Sequence, residues 1–232
     1  MKKHIAAFLL LCVVILVQAR LPICAETPFG HVYCRNAREP KRIALTFDDG
    51  PHPRYTLEIL KILMEYEIRA TFFMIGVNAE QYPQTLQKVV ESGCEIANHT
   101  YSHRRIDRLN KQDMQEEILR CEEVLYSLTG IRPHLFRPPE GMISQMAKET
   151  MQGMNYDVVL WSIDTLDWAH TPSSTIVQSV KSHLKGGDII LMHDYVSGKN
   201  TTCDSLRILI PQLLAQGYEF VTVSELIEGE TA

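Results

Sequence analysis

The chain has 232 residues, 45% hydrophobic and 22% charged, enough to bury one sizeable core and to argue for one domain behind any leader. Its formal net charge of −5 is not set against any basic block, so the footprint of a nucleic-acid binder is missing. No nucleic-acid partner is expected.

The first segment reads as a leader. Lys2 and Lys3 precede an apolar run from Ile5 to Val17, and Ala19 and Ala25 offer cleavage positions, the build of a signal peptide. The run is short of the roughly 20 apolar residues of a comfortable membrane span. Residues 1–25 are therefore expected to be a signal peptide, with an uncleaved amino-terminal membrane anchor as the rival reading. Residues 26–232 form the expected functional domain, secreted or at the cell surface. Cleavage after Ala25 would remove Cys12 and Cys24 and leave an even count of cysteines; scattered free cysteines with at most one bridge are the alternative. No CxxC pair points to a thiolate metal site.

Beyond the leader, short apolar β-rich runs occur at Arg42 to Phe47, Ala70 to Ile75, Cys94 to Asn98, His134 to Arg137, Asp157 to Ile163, Asp188 to Met192 and Tyr218 to Val223. Between them lie helical patterns, among them Tyr55 to Tyr66, Asp113 to Leu128 and Ser205 to Leu214, the last two followed by Gly130 and Gly217. This alternation predicts parallel strands joined by helical crossovers.

The chemically able residues fall at the carboxyl ends of these strands. Asp48 and Asp49 end the first, His99 and His103 follow the third, Arg137 ends the fourth, Asp164 and Asp167 follow the fifth, and His193 and Asp194 end the sixth. In a β/α barrel those ends converge on one face, so residues distant in sequence can share a site. His99 and His103, four apart, would present two imidazoles to one side as on a helical turn, and Asp48 or Asp49 could complete a His₂-carboxylate metal site. Alternation along an extended strand would then send the second aspartate elsewhere, toward the water. Gly50 and Pro51 turn the chain away.

Five ordered stretches resemble the motifs of polysaccharide deacetylases, the carbohydrate esterases with a NodB homology domain: Thr46-Phe47-Asp48-Asp49-Gly50-Pro51, His99-Thr100-Tyr101-Ser102-His103, Arg137-Pro138-Pro139, Asp164-Thr165-Leu166-Asp167-Trp168 and Leu191-Met192-His193-Asp194. The resemblance runs from Lys41 to Ile227. It implies an α/β fold, a deformed (β/α)7 barrel. It further implies a metal-dependent hydrolase that removes N-acetyl groups from N-acetylglucosamine units of a cell-wall or extracellular polysaccharide, with peptidoglycan the expected polymer and chitin, poly-N-acetylglucosamine or xylan the others.

By the same resemblance, Asp49, His99 and His103 would hold the divalent metal, zinc fitting the ligand set and cobalt or another divalent ion being able to serve. Asp48 would be the general base and Arg137 its ion-pair partner. His193 would be the general acid and Asp167 the carboxylate behind it. Pro138 and Pro139 have no N–H, so Glu140 supplies the first backbone donor of that turn and is the candidate oxyanion partner. Glu140 is also a departure, since many members have an aromatic residue there. Trp168 and Leu191 would line the acetyl pocket. The N-acetylated polymer is the expected partner, and the protein is expected to be a monomer that meets a membrane only through an uncleaved leader. Two other readings stand beside this one: a catalytically silent sugar-binding protein, and an amidohydrolase acting on a small cyclic amide.

Overall fold

A computed structural model describes residues 32–229 with the exception of Ser197 and Lys199. The leader expected at 1–25 lies outside the described residues. Among those residues, no helix is long and apolar enough to cross a membrane.

The strands are β1 (Val32–Tyr33), β2 (Arg42–Asp48), β3 (Thr71–Met74), β4 (Glu95–Asn98), β5 (Leu135–Phe136), β6 (Asp157–Val159), β7 (Ile163–Asp164), β8 (Ile189–His193) and β9 (Glu219–Phe220). They form one sheet in the order β1-β6-β5-β4-β3-β2-β8-β7, with β9 paired to β2 off this path. Every strand pairing is parallel. With helical crossovers between strands, this is the deformed barrel that the motifs implied.

One expected strand is divided. The run Asp157 to Ile163 is apolar at five of its seven positions, yet its first half pairs at one end of the sheet with β1 and β5, and its second half pairs at the other end with β8. The link between them crosses where the curled sheet meets itself: Leu160 N donates to Tyr33 O at 2.7 Å, and Ser162 N to Ile189 O at 3.0 Å. A strand cannot follow both edges at once, so it breaks there.

Alternation along the central strands sorts the core from the site. In β2, Ile43, Leu45 and Phe47 pack outward against the helices, while Ala44 belongs to the inner cluster with Phe73, Ala97, Leu135, Val159 and Ile189. Thr46 and Asp48 share the inner face with Ala44 by the period of two. The same rule in β8 sends Ile190 and Met192 outward and Leu191 and His193 inward. Burying the outward rows is worth about 1.5–3 kcal/mol for each large side chain, and this holds the inner polar residues in place.

The helices are α1 (Tyr55–Glu65), α2 (Gly76–Gln81), α3 (Pro83–Glu91), α4 (Lys111–Thr129), α5 (Gln145–Gly153), α6 (Ser173–His183), α7 (Thr202–Ala215) and α8 (Val223–Glu228). The long α4 starts where the Asn110 side chain accepts from Asp113 N and stops at Gly130, whose φ of 75° continues no helix. Val223, expected to end a strand, instead opens α8. Thr222 and Glu225 form a capping box there, a Thr-x-x-Glu signal visible in the sequence. Cys34 is disulfide-bonded, whereas Cys94, Cys121 and Cys203 are free and buried.

Candidate active site

The residues expected at the strand ends come together. Asp48, the last residue of β2, is 3% exposed, and its Oδ1 accepts from Arg137 Nη1 at 2.6 Å. Arg137 is wholly buried and also donates to Thr46 Oγ1 at 2.9 Å and to the carbonyls of Val159 and Leu160, both at 3.1 Å. The guanidinium also lies over the Phe73 ring, 4.0 Å from its centroid. Burial pulls the Arg137 pKa down, which the Asp48 carboxylate opposes.

Asp49, His99 and His103 form the one group among the described residues whose ligand atoms could share a metal, all within 4.8 Å of one another. His99 Nε2 and His103 Nε2 stand 3.4 and 3.2 Å from Asp49 Oδ1, yet neither is aligned as a hydrogen bond, and that buried oxygen has no hydrogen-bond partner. Burial works against ionisation of Asp49, but contact with His103 and His99 holds its carboxyl well below the usual carboxylate range. The same contact raises His103. His99 Nδ1 lies 2.7 Å from Arg137 O, which accepts its proton and leaves Nε2 bare toward Asp49. A buried carboxylate oxygen without a hydrogen bond, faced by two imidazoles, is a donor set that suits a divalent ion.

Two local expectations are corrected. His99 and His103 do not lie on a helical turn; β4 ends at Asn98, and a loop brings them together with left-handed φ of 67° at Thr100 and 59° at His103. The loop is tied by Thr100 Oγ1, which accepts from His103 N, and by the buried Glu117 carboxylate, which accepts from Ser102 N at 2.9 Å and Ser102 Oγ at 2.6 Å. Nor does strand alternation separate the two aspartates. Asp49 has already left the strand, with φ 77°.

On the opposite side His193 Nδ1 lies 2.8 Å from Asp167 Oδ1. Asp167 is 1% exposed, and its Oδ2 also accepts from His193 N at 2.8 Å and Thr202 Oγ1 at 2.6 Å. Burial alone would lower the His193 pKa, but the hydrogen bond and charge of Asp167, with Asp48 and Asp49 behind, push it up to about 9. Asp164 does not take this place; its carboxylate accepts from Leu166 N, and burial raises its pKa. Thr202, which the sequence reading missed, completes the Asp167 setting from the start of α7, and no local signal marks it.

Asp48 and His193 are register partners across β2 and β8. Trp168 is 53% exposed on the rim and Leu191 is buried on the inner face of β8. Glu140 has φ 58°, and its turn is closed by Gly141 N to Pro138 O and Met142 N to Pro139 O, leaving the Glu140 N–H outside those bonds. Its side chain reaches outward to Arg105 Nη1 at 3.3 Å.

The family model for polysaccharide deacetylase matches residues 35–159. A peptidoglycan-N-acetylglucosamine deacetylase of Bacillus cereus is 39% identical over 202 residues, covering 86% of this chain and 94% of the relative. The peptidoglycan-N-acetylmuramic acid deacetylase PdaC of Bacillus subtilis is 39% identical over 188 residues, 81% of this chain and 39% of its own length. Among solved structures, a peptidoglycan N-acetylglucosamine deacetylase superposes with a TM-score of 0.84 at 33% identity, covering 89% of this chain and 97% of that one.

Proposed function

This chain belongs to the polysaccharide deacetylase family, and from that footing we propose that it hydrolyses the acetamide of N-acetylglucosamine units in peptidoglycan outside the cytoplasm. The observation that carries the reading is the register pairing of Asp48 and His193, which sets an Arg-held carboxylate beside an Asp-held imidazole next to the Asp49, His99 and His103 cluster. The carboxyl oxygens of Asp48 can accept a proton and the imidazole of His193, its pKa raised, can give one, which is what a base and an acid working on one bond require.

Asp49, His99 and His103 would hold the divalent ion, and their His₂-carboxylate chemistry favours zinc. When bound, the ion supplies Lewis-acid polarisation of the acetamide carbonyl and eases ionisation of a water. Asp48 accepts the proton of the attacking water, and Arg137 holds that carboxylate in place through its 2.6 Å contact. The Glu140 N–H, free of its own turn, donates to the oxyanion that develops at the carbonyl. His193, charged through Asp167, passes its proton to the nitrogen as the C–N bond breaks, so water and amide become acetate and a free amine. Leu191 lines the floor beside the acetyl methyl, and Trp168 offers a ring face to the sugar.

The relatives named above act on peptidoglycan, and this supports the polymer chosen. The leader reading supports export. The test is acetate release from purified peptidoglycan, chitooligosaccharide and acetylated xylan, with the metal-free protein reloaded with zinc or cobalt. Release from peptidoglycan with zinc present is the expected result. Turnover of chitooligosaccharide or xylan alone would overturn the polymer, and no release from any of them would overturn the activity.

A further inference from the structure

Asp194 follows His193 in sequence but points the opposite way. It is wholly buried and has no part in the chemistry described above. Three attachments join it to one short segment. Its N–H donates to Asp48 O at 3.2 Å. Its Oδ2 lies 2.5 Å from Thr56 Oγ1, and that hydroxyl accepts from His52 N at 2.7 Å. Its carboxyl group rests on the Gly50 Cα, so closely that a Cβ at position 50 would collide with both carboxyl oxygens.

The segment held in this way carries Asp48 and Asp49, and Asp49 has the left-handed φ of 77° that a side-chain-bearing residue disfavours. Such a backbone persists only when its surroundings over-determine it. From one side the turn is held by Asn78 Nδ2, which donates to Asp49 O at 2.7 Å, and by Ile75 N, which donates to Gly50 O at 2.9 Å. Asp194 is the hold from the other side. Its Oδ1 is buried without a hydrogen-bond partner among the described residues, a cost that an apolar side chain of similar size would not incur.

We propose that Asp194 is a positioning residue that clamps the Asp48–His52 turn from below, setting where the Asp48 carboxylate stands relative to Asp49, His99 and His103. The proposal rests on the reading of those three residues as a metal site.

The test compares the parent with Asp194→Ala, Asp194→Asn, Thr56→Val, Gly50→Ala and the Asp194→Ala/Gly50→Ala double variant. Zinc affinity is read by competition with a chromogenic chelator, Tm by circular dichroism, and kcat and KM from acetate release. Asp194→Ala is expected to weaken zinc binding by about 10-fold or more, the usual effect of losing support behind a ligand, and to lower kcat more than it raises KM. Thr56→Val, which loses only the hydroxyl link, should move both in the same direction. Asp194→Asn keeps the volume and an oxygen for Thr56, and should recover most of the zinc affinity. Gly50→Ala should lower Tm, and adding Asp194→Ala should raise it again by removing the collision, without restoring zinc affinity. A folded Asp194→Ala protein with parental zinc affinity and parental kcat would overturn the proposal. So would an Asn variant as impaired as the Ala variant, since charge rather than position would then matter. If the parent itself binds no zinc, the metal reading fails, and the reversal of Tm in the Gly50→Ala background still decides whether Asp194 bears on the turn.

Discussion

Asp48 and His193 face each other as register partners on neighbouring parallel strands, so two groups 145 positions apart in the chain stand side by side at the carboxyl ends of β2 and β8. Arg137 holds the first at 2.6 Å and Asp167 holds the second at 2.8 Å. Asp167 stabilises the charged form of His193, and Arg137 gives the buried Asp48 its counter-charge.

Asp48→Asn should keep its metal and lose about 10²-fold or more in kcat. The amide oxygen can still accept from Arg137, but an amide cannot take a proton from water. Elemental analysis beside acetate release checks this; loss of the ion in place of kcat would make Asp48 a ligand.

Arg137→Ala should cost about 3–5 kcal/mol in chemical denaturation, because it leaves the buried Asp48 without its counter-charge. Arg137→Lys should fall between, since one ammonium cannot serve Asp48, Thr46 and the Val159 and Leu160 carbonyls together. A loss near zero for the alanine variant would show that water reaches Asp48 readily.

The His193 pKa, raised to about 9, puts the alkaline limb of the pH–rate profile near that value. Asp167→Asn removes the charge that stabilises the imidazolium, so the limb should move to lower pH while metal content stays unchanged. The linkage to stability has the same sign. Because the folded value lies above the ordinary 6.5, the pair contributes fully below about pH 6.5, and the contribution is lost as pH rises through about 9. A limb unmoved by Asp167→Asn would place the acid elsewhere.

Chelation should abolish acetate release, and zinc or cobalt should restore it. The reason is the unpartnered Asp49 oxygen between two imidazoles. Full activity in chelator with no metal found by elemental analysis would remove the Lewis acid from the account.

Glu140→Gly should retain turnover, because glycine adopts the φ of 58° at no cost and keeps the N–H. Glu140→Pro should fail on conformational grounds alone, since proline is locked near −65° and cannot enter this turn. Glycine is therefore the informative variant. If kcat falls with Glu140→Gly in a folded, metal-loaded protein, the carboxylate itself acts on the substrate.

The amino-acid sequence by itself determined the alternation of strands and helices, the placement of Asp48, His99, Arg137, Asp167 and His193 at strand ends, and the Arg-carboxylate and His-carboxylate partnerships that the motifs implied. The first two follow from local physics, since hydrophobic period and strand-end position depend on near neighbours, whereas the partnerships rested on the resemblance of the motifs. Only the tertiary structure decided the left-handed turns at Asp49, Thr100, His103 and Glu140, because each has a backbone conformation that side-chain-bearing residues disfavour. The loops around the site are likewise held by residues far along the chain: Asn78 behind Asp49, Glu117 behind Ser102 in the loop between Thr100 and His103, and Thr202 behind Asp167. The break in the strand from Asp157 to Ile163 is of the same kind. Its composition is that of one continuous strand, and it divides because a curled sheet must meet itself, a constraint that acts between opposite edges and leaves no trace in a local pattern.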